Sequence, residues 1–152
     1  LDYCAGLGED FSEAVSSMLV FDAVIYNEDR HFGNFGILRN NRSGEIIGPA
    51  PIFDNGFSLF NYAMPEDIAD LAKYAKTRSP VYGGVTFERI CSEVMGVIQV
   101  QQLQKLIGFK FTRHLSINWQ EERLEAIEAH IQDRVSWFLE ISRHKDARLR
   151  EG

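Results

Sequence analysis

Apolar residues recur at helical spacing in five blocks of this chain, interrupted once by a short stretch that alternates. The first block runs from Asp10 or Ser12 to about Tyr26. There Val15, Met18, Leu19 and Asp22 keep the helical period, and Phe21, Val24 and Ile25 widen the apolar face. Asp10 with Glu13 predicts a capping box at its start. Asp22 interrupts an otherwise apolar surface. The width of that surface predicts a helix buried on most sides, whose far end delivers Asn27–Asn34 as a loop that Gly33 and Gly36 allow to turn tightly.

The alternating stretch predicts a hairpin: Phe35–Arg39 as a strand, Asn40–Gly44 as the turn, Glu45–Ile47 as the return. Gly48-Pro49-Ala50-Pro51 is expected to end the pairing, because proline has no N–H to give to a ladder. Ile52 and Phe53 then carry the chain to Asp54. On this spacing the hairpin returns the chain so that Asp54 faces Asn34.

The remaining blocks are helical. Pro65 suits a first turn, with Glu66 and Asp67 early, Lys73, Lys76 and Arg78 late, and Ile68, Leu71, Ala72 and Ala75 inward. After a Gly- and Pro-containing loop, Ser79–Gly84, Thr86 caps a helix that buries Phe87, Ile90, Cys91, Val94 and Met95 and is closed by Gly96. A short helix carries Ile98, Leu103, Leu106 and Ile107 up to Gly108. The last begins at Asn118, with Glu121 completing a capping box. It buries Leu124, Ile127, Ile131, Val135 and Phe138, and frays after Arg143. The pattern predicts one domain over residues 1–152, mainly α with a small β-hairpin, hence α+β.

Composition narrows the classes. The 152 residues are 45% hydrophobic and 12% aromatic, which suits a globular domain with a real core. Sixteen basic against twenty-two acidic residues leave a net charge of −6, which argues against direct contact with nucleic acid or an anionic membrane. Cys4 and Cys91 fit no metal or redox spacing and read as reduced thiols, consistent with a cytoplasmic protein. No apolar run is long enough to span a bilayer. Gly6 and Gly8 read as a simple turn, and Trp119 and Trp137 as core or half-buried. His114, His130 and His144 form no cluster at ligand spacing. The chain starts at Leu1 without an initiator Met, and is expected to be a fragment of a longer protein.

Chemistry concentrates in Asn27-Glu28-Asp29-Arg30-His31-Phe32-Gly33-Asn34 and Ile52-Phe53-Asp54-Asn55-Gly56. Asn34 follows Asp29 by five residues, and Asp54 precedes a glycine by two. Those intervals are similar to the catalytic loop and the metal-binding aspartate of protein kinases. Phosphoryl transfer asks for a steered nucleophile and for hard oxygen ligands around Mg²⁺. Asn34 and Asp54 are such ligands, and Asp29 can take the acceptor proton. His31 is a candidate to order the loop or orient Asp29. Arg30 pairs with a carboxylate, contacts phosphate or supports packing, and Asn27 and Asn55 bond locally, Asn55 also within reach of a metal shell.

Asn27-x-Asp29-Arg30-His31-x-x-Asn34-Phe35-Gly36, followed by Ala50-Pro51-Ile52-Phe53-Asp54-Asn55-Gly56-x-Ser58-Leu59, resembles the C-terminal lobe of the HipA-like bacterial serine/threonine kinases. The Asp-Arg-His-x-x-Asn core is also similar to that of phosphoinositide kinases. The resemblance is sharp over residues 18–60 and general beyond them. It implies a kinase-like C-terminal lobe with Asp29 as base, Asn34 and Asp54 on Mg²⁺, and ATP as donor. It also implies a protein substrate and, for toxin-type relatives, a DNA-binding antitoxin as partner.

One departure stands out. A working kinase needs an N-lobe with a phosphate-binding lysine, and the first lysine here is Lys73. An N-lobe is therefore expected from a longer chain or a separate one, and the chain alone is expected to have little or no kinase activity. Two other readings compete: a metal-dependent hydrolase built on Asp29, His31 and Asp54, and a kinase-like interaction module without chemistry.

Overall fold

The computed structural model describes residues 7–116 and 119–150, the last six of these by backbone alone. Cys4, Gly6 and the expected cap Asn118 lie outside the described residues. The elements in chain order are α1 (Glu9–Ile25), β1 (Ile37–Arg39), β2 (Ile46–Pro49), α2 (Pro65–Ala69), α3 (Leu71–Ala75), α4 (Phe87–Val94), α5 (Val97–Gln104) and α6 (Glu121–Arg150). The architecture is mainly helical with one antiparallel two-stranded hairpin, an α+β arrangement as the pattern predicted. Among the described residues no helix is long and apolar enough to cross a membrane.

α1 is the central element and packs against α4, α5, α6 and β2. Its Val20, Ala23 and Val24 join Phe87 and Cys91 of α4, Leu103 of α5, and Ile127, Ile131, Val135 and Phe138 of α6 in one core. The expected inner face of α6, Leu124 included, is buried throughout. The helix continues through Arg150 rather than fraying after Arg143.

α6 also reaches out with polar arms. Arg123 donates to the carbonyls of Ala63 and Phe60. Glu128 has a buried carboxylate that accepts from Lys110 Nζ at 2.8 Å, Phe111 N–H at 2.8 Å, and Arg113. Those donors hold its carboxyl down at about 2. Arg134 pairs with Glu88 of α4 and donates through Nε and Nη2 to the Ala23 carbonyl near the end of α1. Its guanidinium also lies over the rings of Tyr26 and Phe138.

Several local expectations are corrected. The cap of α1 is Gly8 at φ 110°, with no side-chain bond, so Asp10 and Glu13 make no capping box. Glu9 and Asp10 instead face the positive end of the helix dipole. The single helix expected after Pro65 is two, because Asp70 leaves the helical conformation at φ −135° and ψ 63° and its carboxylate caps the Lys73 N–H. Ala72 is consequently exposed. Thr86 does cap α4, accepting from Arg89 N–H. Trp119 and Trp137 are exposed, each lying beside an arginine guanidinium, of Arg123 and Arg134 respectively.

The hairpin is shifted from its expected bounds. β1 starts at Ile37, and Pro49 does not stop the pairing: it stands opposite Ile37 in β2. The Ala50 N–H donates to the Gly36 carbonyl at 2.9 Å. Gly36 and Ala50 are therefore a hydrogen-bonded pair, and Ile37 with Pro49 the non-bonded pair next to it. At that position the proline nitrogen faces away from β1, and its missing donor costs the ladder nothing.

Candidate functional site

α1 ends where the candidate loop begins. Tyr26 takes the left-handed conformation at φ 53° and closes the helix, and the Asn27 N–H returns to the Asp22 carbonyl at 2.9 Å. The loop then ties itself. Asn27 Oδ1 accepts from Asp29 N–H at 3.2 Å, and the Asp29 carbonyl accepts from Asn34 Nδ2 at 2.8 Å and from His31 N–H at 2.9 Å. Asn34 N–H donates to the His31 carbonyl at 2.9 Å. The two ends of the Asp29–Asn34 interval are thus held together by the Asn34 side chain. That bond uses its amide nitrogen, not Oδ1, the side chain's acceptor atom.

The organiser of the site is Arg30, 1% exposed. Its Nε and Nη2 grip the two oxygens of Asp22 at 2.8 and 2.9 Å. Its Nη1 donates to the Asn34 carbonyl at 2.5 Å and to the Phe53 carbonyl at 2.6 Å, and Nη2 also reaches Asn55 Oδ1 at 2.5 Å. One side chain therefore joins α1, the loop, and the segment beyond the hairpin. It brings the backbone of Asn34 and that of the residue before Asp54 onto a single nitrogen. The hydrogen bonds to Asp22 are the main reason its pKa is raised further, so it stays cationic, with Asp54 a smaller contributor.

Asp54 is exposed and adopts φ 56°, a left-handed backbone uncommon outside glycine, asparagine and aspartate. By type, the side-chain oxygens of Asn34, Asp54 and Asp29 are those a hard, oxygen-seeking ion such as Mg²⁺ takes. Further backbone bonds fasten the region to α1: Glu28 N–H to the Phe57 carbonyl at 3.1 Å, and Leu59 N–H to the Ile25 carbonyl at 2.7 Å. Beside Asp29, Glu28 meets Arg78 at 3.4 Å; burial raises its pKa and Arg78 opposes the rise.

His31 is exposed, and its Nδ1 accepts from Gly33 N–H at 3.0 Å. It orders the loop by accepting an amide hydrogen, the first of the two roles expected for it. A Cβ on Gly33 would come within 2.9 Å of the His31 ring, so a side chain there would push the ring aside. Among the described residues no three His, Cys, Asp or Glu side chains gather in a way that could hold a metal ion, so Asp29, His31 and Asp54 do not form the compact trio a transition-metal centre requires.

The alternatives left open for Arg30 resolve to carboxylate pairing plus three further acceptors. Asn27 bonds locally as expected, across the helix end to Asp22 Oδ1 at 3.0 Å, whereas Asn55 bonds Arg30 over twenty-five positions. The residue that sequence reasoning undervalued is Asp22. Its signal was present: a lone carboxylate in the apolar run Met18–Ile25 needs a buried cation. In comparisons with protein-family models, with curated proteins and with solved structures, the chain matches none.

Proposed function

We propose that the chain is the C-terminal lobe of a HipA-like serine/threonine protein kinase. In this reading Asp29 takes the acceptor hydroxyl proton, and Asn34 and Asp54 hold Mg²⁺. The supporting observation is the Arg30 clamp, which fastens the loop of Asp29 and Asn34 to the segment of Asp54 through Asn34 O, Phe53 O and Asn55 Oδ1. A clamp of that reach is what a site assembled from two separated stretches needs, because ligands must be preorganised to hold a phosphate-bound ion. Mg²⁺ would neutralise charge on the phosphates. Asn34 holds the Asp29 carbonyl and thereby fixes the start of the loop, while Asp29 itself, half-buried, is the proton acceptor.

The reading carries with it ATP as donor, a protein hydroxyl as acceptor, and an N-lobe from the same or another chain. Mn²⁺ can stand in for Mg²⁺ in an NMR titration of the isolated chain. Line broadening should centre on Asn34 and Asp54, and should be lost in Asn34→Ala and Asp54→Ala while surviving His31→Ala. Broadening that follows His31 and ignores Asn34 would favour the hydrolase. With ATP the isolated chain should transfer little phosphate. Robust transfer abolished by Asp29→Ala would overturn the requirement for an N-lobe.

A further inference from the structure

Two cavities of about 560 and 650 Å³ flank the N-terminal half of α1. Val15, Met18, Phe35, Gly36 and Pro49 line both, so they are the two ends of one trough that passes under the root of the hairpin. Phe11, Leu19, Phe32, Ile90 and Val94 wall the larger end, and Ala14, Pro51 and Ile52 the smaller. The ring of Phe32 is 87% exposed and lies 6.0 Å from that of Phe35. A contiguous apolar lining that continues onto an exposed ring, with polar residues at its rim, is the kind of patch that marks an interaction surface.

The charge of the walls narrows what that is. Among the described residues their charged side chains are Asp10 and Glu13 at one end and Glu93 at the other, with no lysine or arginine at either. Glu93 pairs with Arg89 at 3.0 Å, but both are well exposed, and such a surface pair is exchanged at little cost. A purely apolar occupant would leave the carboxylates of Asp10 and Glu13 without a cation to answer them. An acidic peptide or a nucleic acid would be repelled by the same groups.

We propose that this trough is a docking site for a basic, apolar-anchored peptide segment of a partner protein. Its large aliphatic or aromatic side chains seat against Met18, Phe32 and Phe35, and its lysines or arginines reach Asp10, Glu13 and Glu93. None of Asp29, Asn34 and Asp54 lines either cavity, so the site stands apart from the phosphotransfer reading and survives its failure.

The test uses the full chain and a fluorescent peptide of alternating leucine and arginine. Two comparison peptides carry glutamate for arginine and serine for leucine. The leucine–arginine peptide should bind, and E13K and E93K should each weaken it about tenfold at low salt. The same charge change at exposed Glu140, on α6, should leave binding within about twofold. F32S, at an exposed position, should weaken binding without altering the melting temperature. Equal binding of the serine–arginine peptide, an equal effect of E140K, or no binding at all would overturn the proposal. So would concentration-dependent self-association that F32S abolishes, which would give the trough to a second copy of the chain.

Discussion

The Arg30 guanidinium and the Asp22 carboxylate meet edge to edge, two nitrogens on two oxygens at 2.8 and 2.9 Å, with almost no access to water. Asp22→Ala leaves that guanidinium buried without its counter-charge and is expected to cost about 3–5 kcal/mol in urea unfolding. Arg30→Lys should be nearly as harmful, since an ammonium cannot serve Asp22, two carbonyls and Asn55 at once. The double change Asp22→Leu with Arg30→Met should cost clearly less than the two single losses added. Strict additivity would mean that the two groups do not act as a pair.

Arg134 does for the end of α1 what Arg30 does for the loop. It bonds the Ala23 carbonyl at 3.3 Å through both Nε and Nη2 and carries the ion pair to Glu88. Arg134→Met is expected to destabilise the fold by about 2 kcal/mol. Amide exchange at Ala23–Asn27 should rise more than that global loss explains, because this turn feeds the loop. Arg134→Lys should restore only part of it. Uniform exchange across α1 would argue against a local role.

His130 sits between the rings of Tyr26 and Phe60, with centroids 5.0 and 4.9 Å away, and its buried Nε2 has no hydrogen-bond partner. Burial, then the nearby Arg134 charge, push its pKa down to about 4 from 6.5. The native state thus binds the proton less readily than the unfolded chain. Its contribution is complete above pH 6.5 and is lost as the pH falls toward 4, by on the order of 3 kcal/mol. His130→Phe should flatten that window of the stability profile. Glu128, held at about 2, adds a separate loss below about pH 4.5, which the variant keeps.

Cys91 lies in the core and its thiol is pushed up to about 12 by burial. Under native conditions iodoacetamide should leave it untouched, and modification should appear only as denaturant unfolds the chain. Peptide-resolved mass spectrometry reads this residue alone. Rapid native labelling of Cys91 would require the α4 packing to open frequently.

What the sequence made legible follows from periodicity. The inner face of α6 from Leu124 to Phe138 and the cap at Thr86 are local patterns, and local rules recover them. The order loop, hairpin, Asp54 was legible for the same reason. The break at Asp70 was not, because an aspartate can serve a helix interior or cap a new helix, and only tertiary packing chooses between them. Pro49 was misread because the penalty on proline depends on whether its nitrogen faces the partner strand, and register is not written in composition. The reach of Arg30 to Phe53 and Asn55 was hidden for a third reason: a contact across more than twenty positions leaves no periodic trace.

In the proposed kinase reading, the left-handed backbone at Asp54, with φ 56°, sets thermal endurance against cation affinity at one position. Glycine there would relax the chain by at most about 1 kcal/mol and remove the anion in the same stroke. Asp54→Gly should therefore melt no lower than the parent while giving up its divalent-ion response. Asparagine tolerates the same twist, so Asp54→Asn separates the lost charge from the altered backbone.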